Sequence, residues 1–223
     1  MNPSDISVVI PALNEQDSIG ACIQSAFAAG ATEVIVADGG SQDATATRAT
    51  EAGATKVIRS LPGRGTQLNS GATFASKEYV LFLHADNRLS ENCLQQICLC
   101  TDVVWGAFGQ SIDSDRFVFR LLEKGNALRV KWRGLPFGDQ AIFVRRSTYK
   151  QQGGFDEIPL MEDVQFSKLM RRIAKPTFLP GPITISARRW QKTGVVRQTL
   201  RNWKIQLAHR CGVSPQRLRK WYR

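Results

Sequence analysis

The sequence predicts an α/β fold, a doubly wound, mostly parallel sheet flanked by helices. Two observations predict it. Short β-rich runs alternate with longer helical stretches through the first hundred residues. Those runs are apolar throughout and bounded by turn residues, which suits strands buried on both faces.

Taken in order, strands are expected at residues 6–10 (I-S-V-V-I), 33–37 (E-V-I-V-A), 56–59 and 79–83 (Y-V-L-F-L). Helices are expected at 18–29, 43–52 and 66–75, with a fourth starting at residue 90. Beyond residue 105 the alternation loosens. There the pattern gives a strand at 106–112, a helix at 117–130, a strand at 140–144 and a helix at 162–174. That last helix opens with two acids, favourable at the positive end of its dipole. In doubly wound sheets ligands bind beyond the carboxyl ends of the strands. The segments there are P-A-L-N-E (11–15), D-G-G-S (38–41) and H-A-D-N (84–87), so acidic and polar groups recur at one edge.

A chain of 223 residues with 43% apolar content can bury one sizeable core. We expect one globular domain, residues 1–190, followed by a basic amphipathic helical extension, 191–223. No window approaches the roughly 20 uninterrupted apolar residues that span a bilayer. Met1 to Asp5 is polar and leads into only a short apolar run, unlike a secretion signal, so a cytoplasmic location is expected. Five cysteines without a C-x-x-C pair suit a reducing compartment and free thiols. The net charge of +11 is uneven: residues 1–163 carry 15 Lys and Arg against 19 acids, a balance of −4, while 164–223 carry 15 basic groups and no acid. The C-terminal part is therefore expected to meet an anionic partner.

Carboxylates at the sheet edge suit a nucleotide and a hard cation. Asp38, after the second strand, is placed to accept hydrogen bonds from a base or ribose. Asp86, after the fourth, offers the oxygen ligand that Mg²⁺ or Mn²⁺ prefers. Asp163 could serve as a base.

Four segments, V-V-I-P-A-L-N-E (8–15), A-D-G-G-S-Q-D-A-T (37–45), L-F-L-H-A-D (81–86) and M-E-D-V-Q-F-S (161–167), resemble the ordered signatures of family 2 glycosyltransferases with the GT-A fold. The likeness runs from residue 6 to about residue 190. Three more, P-G-R-G-T-Q-L-N (62–69), F-G-D-Q-A-I-F-V-R-R (137–146) and S-A-R-R-W (186–190), are similar to a small bacterial subgroup of that family. The resemblance implies transfer of a sugar from a nucleotide-sugar donor to an acceptor hydroxyl or carboxyl, by one displacement that inverts the anomeric carbon. It implies that Pro11, Asn14, Glu15 and Asp38 line the nucleoside pocket, with Gly39, Arg64 and Asn69 joining the donor set. Asp86 would bind the metal-diphosphate, Mn²⁺ or Mg²⁺ being the cation, and Asp163 would be the base. Glu162 would orient the acceptor or that base. Asp139, Gln140, Arg189 and Trp190 would lie on the acceptor or diphosphate side. Two departures stand out: His84 occupies the first position of the usual D-x-D, and Ser186 replaces the Gln of Q-x-x-R-W. His84 remains a candidate metal ligand, with one negative charge fewer than an aspartate.

In the tail, Val196, Leu200, Trp203, Leu207 and Cys211 recur at helical spacing beside Arg197, Arg201 and Lys204. One reading packs this helix on the domain with a solvated basic edge. The other lays it on an anionic lipid surface, favouring a lipid-linked acceptor and a peripheral place on the inner face of the cell membrane.

Two other functions compete. A sugar-nucleotide-forming nucleotidyltransferase shares the sheet and the metal logic, and Gly63-Arg64-Gly65-Thr66 superficially matches its phosphate loop. That loop belongs after the first strand, where P-A-L-N-E stands instead. A nucleic-acid binder would use the basic C-terminal part, 164–223, with three of the five tryptophans, but the acidic sheet edge repels a phosphate backbone, so no nucleic acid is expected.

Overall fold

The computed structural model describes residues 1–222. The four expected N-terminal strands form, as β1 (Ile6–Ala12), β2 (Glu33–Asp38), β3 (Lys56–Arg59) and β4 (Tyr79–Phe82). Between them run α1 (Ile19–Ala28), α2 (Thr45–Glu51) and α3 (Arg64–Thr73). The chain continues through β5 (Asn87–Leu89), α4 (Cys93–Cys98), β6 (Trp105–Ile112), α5 (Phe117–Arg133), β7 (Phe143–Arg145) and α6 (Arg146–Gln151). It closes with α7 (Glu162–Met170), β8 (Thr177–Ile185), α8 (Arg188–Thr193), α9 (Val195–Arg210) and α10 (Pro215–Tyr222).

The eight strands form one sheet in the order β3-β2-β1-β4-β7-β6-β8-β5. Pairs β1–β2, β1–β4, β2–β3 and β6–β8 are parallel, whereas β7 runs antiparallel to β4 and β6, and β5 to β8. The chain steps outward from β1 to β3 and then returns to β4 on the opposite side of β1. That reversal leaves a crevice beyond the carboxyl ends of β1 and β4, where such sheets bind ligands.

Side chains alternate between the faces of each strand, so one sheet divides two apolar clusters. Ile6, Val8 and Ile10 pack with Ile19 and Ile23 of α1, while Val9, Val80 and Phe82 pack with Leu68 of α3 and Phe166 of α7. Helix α3 lies so close to the sheet that a Cβ on Gly71 would stand 2.4 Å from Val9 Cγ1. Gly71→Ala is therefore expected to overpack this contact and lower stability by about 1–3 kcal/mol, read from the urea midpoint. An unchanged midpoint would mean that α3 has room to shift.

The structure departs from the sequence reading, or adds to it, at three places. Residues 140–144 do not form one strand: Gly138–Gln140 is a 3₁₀ turn, Ala141 has φ 47°, and β7 starts only at Phe143. β8, nine residues long, runs through the P-G-P that reads as a strand breaker. It does so because the ladder with β6 shifts register between Phe108 and Gln110, giving Pro180 and Gly181 a place outside regular pairing. The third is in α9. Its stripe Val196, Leu200, Trp203 and Leu207 is 55–71% exposed, and Cys211 is exposed too. The helix packs through its other face, with Val195, Gln198 and Ile205 buried. Leu160, Ile205 and Leu218 share one apolar cluster, which fastens α9 and α10 to the loop before α7. Among the described residues no helix is long and apolar enough to cross a membrane.

Candidate active site

The loops leaving β1, β2 and β4 carry the acidic groups to one edge. After β2, the Asp38 carboxylate accepts hydrogen bonds from the Ser41 hydroxyl and from Ser41 N at 3.1 Å. This fixes the turn and keeps Asp38 at the rim of a shallow hollow it shares with Ser41 and Arg59. After β1, Glu15 accepts from Arg188 at 3.1 Å, which ties the first loop to α8.

Two cavities meet beside these loops. One, about 490 Å³, has Pro11, Glu15 and Glu162 in its wall. The other, about 170 Å³, has Asp139, Asp163 and Trp190. Arg64, His84, Asp86 and Arg189 belong to both walls and form the junction.

The start of α7 serves both sides. Neighbouring helical residues point about 100° apart, so Glu162 and Asp163 reach different cavities. Glu162 is 1% exposed and accepts from Arg64 Nη1 at 3.0 Å. Burial pushes the Glu162 carboxyl above the usual range, and Arg64 opposes that rise. Burial also works against the Arg64 cation, but Glu162 and Asp163 more than offset it and hold its pKa above the ordinary value. On the other side, Gly138 N–H donates to Asp163 Oδ2 at 2.7 Å. A Cβ on Gly138 would stand 2.8 Å from His84 Nε2 and 3.3 Å from Asp163 Oδ2, so this gap admits no side chain.

Burial, with Arg64 and Arg189 nearby, pushes the His84 pKa well below its ordinary value, leaving an uncharged imidazole at neutral pH. Burial raises the Asp139 carboxyl, with Arg129 opposing and Asp163 adding. At the junction few groups could meet a divalent cation, and among the described residues no three His, Cys, Asp or Glu stand together to hold one. Asp86 supplies a carboxylate, His84 adds no positive charge, and the Oδ1 atoms of Asn87 and Asp139 are shielded from solvent without a hydrogen-bond donor.

Four residues expected in the site stand elsewhere. Asn69 spends its side chain on the loop before α7, donating to Phe155 O at 2.8 Å and accepting from Phe155 N and the Tyr149 hydroxyl. Gln140 is fully buried, accepts from Arg129 and Phe137 N, and donates to Phe108 O. Both brace the scaffold because all their hydrogen-bonding groups are already satisfied within it. Asn14 is an exposed turn residue with φ 55° that accepts from Gln42 N and so joins the first two loops. Gly39 is buried under them, where a Cβ would meet the Gln67 amide at 2.9 Å.

Sequence reasoning missed Gly138 and Arg188, although both sit inside quoted motifs. It also missed that α9 lines the smaller cavity with Gln198, Asn202 and Gln206, and that Tyr222 of α10 closes it. Polar residues on a helix carry no periodic apolar signal that would reveal a cavity wall.

The sequence model of glycosyl transferase family 2 matches residues 7–174, well over half of the chain. The chain belongs to glycosyl transferase family 2. Uncharacterized glycosyltransferases of Mycobacterium tuberculosis and Mycobacterium bovis are each 34% identical to it over 92 residues. That match spans 41% of this chain and 41% of theirs, so less than half of the relatives' length is covered. Among solved structures, S. aureus TarS in complex with UDP-GlcNAc is similar with a TM-score of 0.65 and 19% identity, over 81% of this chain and 58% of that one. Glucosyl-3-phosphoglycerate synthase from M. tuberculosis, in complex with Mg²⁺ and UDP, gives a TM-score of 0.58 and 21% identity, over 93% of this chain and 79% of that one. These likenesses establish for this family 2 protein the same fold, a curled and mostly parallel sheet flanked by helices.

Proposed function

We propose that the protein transfers a sugar from a nucleotide-sugar donor to an acceptor oxygen by a single inverting displacement. The observation that carries this reading is the pair of cavities meeting at Arg64, His84, Asp86 and Arg189, with Asp163 in the wall of only one of them. The larger cavity takes the donor, and the diphosphate lies at the junction, where the two guanidinium groups offset its charge. A divalent cation, Mn²⁺ or Mg²⁺ held by Asp86 with His84 beside it, would supply further charge neutralisation for the departing diphosphate. Asp38 borders the region of the nucleoside. Asp163 takes the acceptor proton as the acceptor oxygen bonds to the anomeric carbon and the bond from that carbon to the diphosphate breaks, its electron pair leaving with the diphosphate. Gly138 N–H orients Asp163 for this step. Glu162 acts from the donor side, by holding Arg64. The solved structures with UDP-GlcNAc, and with UDP and Mg²⁺ or Mn²⁺, support a uridine nucleotide and a divalent cation as first trials.

The test is a thermal-shift series with UDP-glucose, UDP-N-acetylglucosamine and GDP-mannose, each with and without Mn²⁺. A ligand that binds the folded state must raise its apparent stability. A shift with one of them, larger with Mn²⁺, is expected. No shift with any nucleotide sugar, alongside a shift with a nucleoside triphosphate, would favour the nucleotidyltransferase reading.

The tail supports a second part of the reading, a peripheral place on an anionic membrane. Besides Val196, Leu200, Trp203 and Leu207 on α9, the neighbouring α5 exposes Phe117, Leu121, Leu128 and Trp132. The two helices come together at two places: Phe119 and Val195 share an apolar cluster, and Arg129 and Arg133 line a groove with Trp203 and Leu207. Exposed tryptophans beside Arg and Lys suit an interfacial helix, with about 1 kcal/mol gained per basic residue near an anionic surface. Co-sedimentation with phosphatidylglycerol vesicles is expected at low salt, weakening as salt rises, and Trp203→Ala with Leu207→Ala should release the protein. If the native protein ignores such vesicles, the lipid-surface reading fails while the transfer reading stands.

A further inference from the structure

Helix α9 does more in this molecule than cover the domain. Its residues Gln198, Asn202 and Gln206 are four apart, so they stand on one face and enter the wall of the cavity that holds Asp163. Opposite them are Asp86, Asp139 and Asp163; beside them are Trp190 and Tyr222. We propose that this carboxamide row is the acceptor subsite, and that the acceptor it selects is an uncharged polyhydroxyl group. The proposal rests on the transfer reading above and names the substrate class of its second cavity.

Three features of the row carry the inference. The first is orientation. Arg201 donates to Gln198 Oε1 at 2.7 Å, and Gln198 Nε2 donates to Asn202 Oδ1 at 2.9 Å. With its oxygen engaged, Asn202 keeps its two amide N–H groups free for an incoming oxygen. The second is availability. Among the described residues no hydrogen bond engages the Gln206 amide, which lies half-buried in the same wall. Trp190 Nε1, shielded from solvent, has no acceptor either. A buried donor without a partner is uncommon in a folded protein, and an oxygen of a bound molecule would satisfy it. The third is chemical match. A carboxamide offers a donor and an acceptor together, as a hydroxyl does, so a row of them pairs with successive hydroxyls.

Other acceptor classes fit this wall less well. A phosphate or carboxylate would draw on forked cations. The guanidinium groups of this cavity, Arg64 and Arg189, sit at the junction with the donor side and are already engaged, Arg64 with Glu162 and Arg189 with the Tyr222 hydroxyl. A purely apolar acceptor would leave the Asn202 amide N–H groups, the Gln206 amide and the indole N–H desolvated and unpaired, at about 1–3 kcal/mol each. A polyhydroxyl group reaches the same row whether it arrives as a free polyol or as the headgroup of a lipid, and the test separates these sources.

The experiment measures nucleoside-diphosphate release from the nucleotide sugar that gives the largest thermal shift. It compares no acceptor, the soluble polyols glycerol, myo-inositol and methyl glucoside, and vesicles containing phosphatidylinositol or phosphatidylglycerol. Release above the acceptor-free rate is expected with at least one of these. Stimulation by soluble polyols assigns a free acceptor, and stimulation by vesicles alone assigns a lipid-borne one. In Asn202→Ala and Gln206→Ala the KM for that acceptor should rise about tenfold, equivalent to about 1.4 kcal/mol, the scale of one hydrogen bond. Donor affinity, read from the thermal shift, should stay within twofold. Gln206 makes no internal bond, so its variant stays folded and keeps the test valid if Asn202→Ala does not fold. Stimulation by none of these acceptors, or an unchanged KM in Gln206→Ala, overturns the proposal. Absence of both donor binding and donor hydrolysis in the native protein would instead overturn the transfer reading on which it rests.

Discussion

Replacing Asp163 by Asn is expected to lower turnover by about 10² to 10⁴-fold while donor and metal affinity stay within a few fold. The substitution keeps the shape of the side chain and removes the proton acceptor. The position supports this outcome. Asp163 borders the smaller cavity, receives the Gly138 N–H at 2.7 Å, and takes no part in the wall of the larger one. A group so placed touches the acceptor and leaves the nucleoside alone. Glu162→Gln should behave differently. It removes the charge that offsets Arg64, so donor affinity should fall while turnover at saturating donor drops less than in Asp163→Asn. Separate measurement of donor affinity and turnover decides the matter: near-normal turnover in Asp163→Asn, or loss of donor binding instead, moves the base to Asp139.

Asp86→Ala is expected to remove transfer altogether, together with the Mn²⁺-dependent part of nucleoside-diphosphate binding, while the thermal midpoint without ligand stays close to native. Asp86 is the carboxylate common to both cavities, and a hard cation follows hard oxygen ligands. Titration with UDP, with and without Mn²⁺, reads the effect. Metal dependence that survives in this variant would move the cation elsewhere. His84→Asp complements it. An uncharged imidazole adds nothing to neutralise a divalent cation, so a carboxylate at this position should keep or tighten Mn²⁺ binding. Complete loss of metal affinity in His84→Asp would mean that the imidazole nitrogen itself is required.

Much of this was legible in the sequence because it depends on local pattern. The runs that became β1, β2 and β4 are apolar and flanked by turn residues, and parallel pairing brings their carboxyl ends to one edge. The placement of Asp38 and Asp86 near that edge follows from strand order, whereas Asp163 is brought there by the packing of α7. What the sequence concealed depends on long-range fit. Asn69 and Gln140 sit inside motifs beside true cavity residues, and only their partners reveal them as braces. β8 was hidden because proline and glycine in a strand are tolerated only where pairing is interrupted, and β6 had to be present to supply that interruption. Of the two readings of helix α9, the one that packs its apolar stripe on the domain does not hold. Its apolar stripe is the outer one, and its inner face is polar because it borders a cavity and not a core.

The first turn of α7 has a consequence for how change at this site would be inherited. Glu162 and Asp163 are chemically near-equivalent, and exchanging them alters neither the composition nor the net charge of the chain. Yet the step between them assigns one acid to Arg64 and the other to the gap beside Gly138. Order along the chain, and not content, therefore encodes which partner each acid takes. A one-residue shift of the two acids along the helix would turn both about 100° the same way, so at most one could reach the other's partner. The loop that feeds the helix is held at both ends, Phe155 by the Asn69 side chain and Leu160 by its apolar cluster with Ile205 and Leu218.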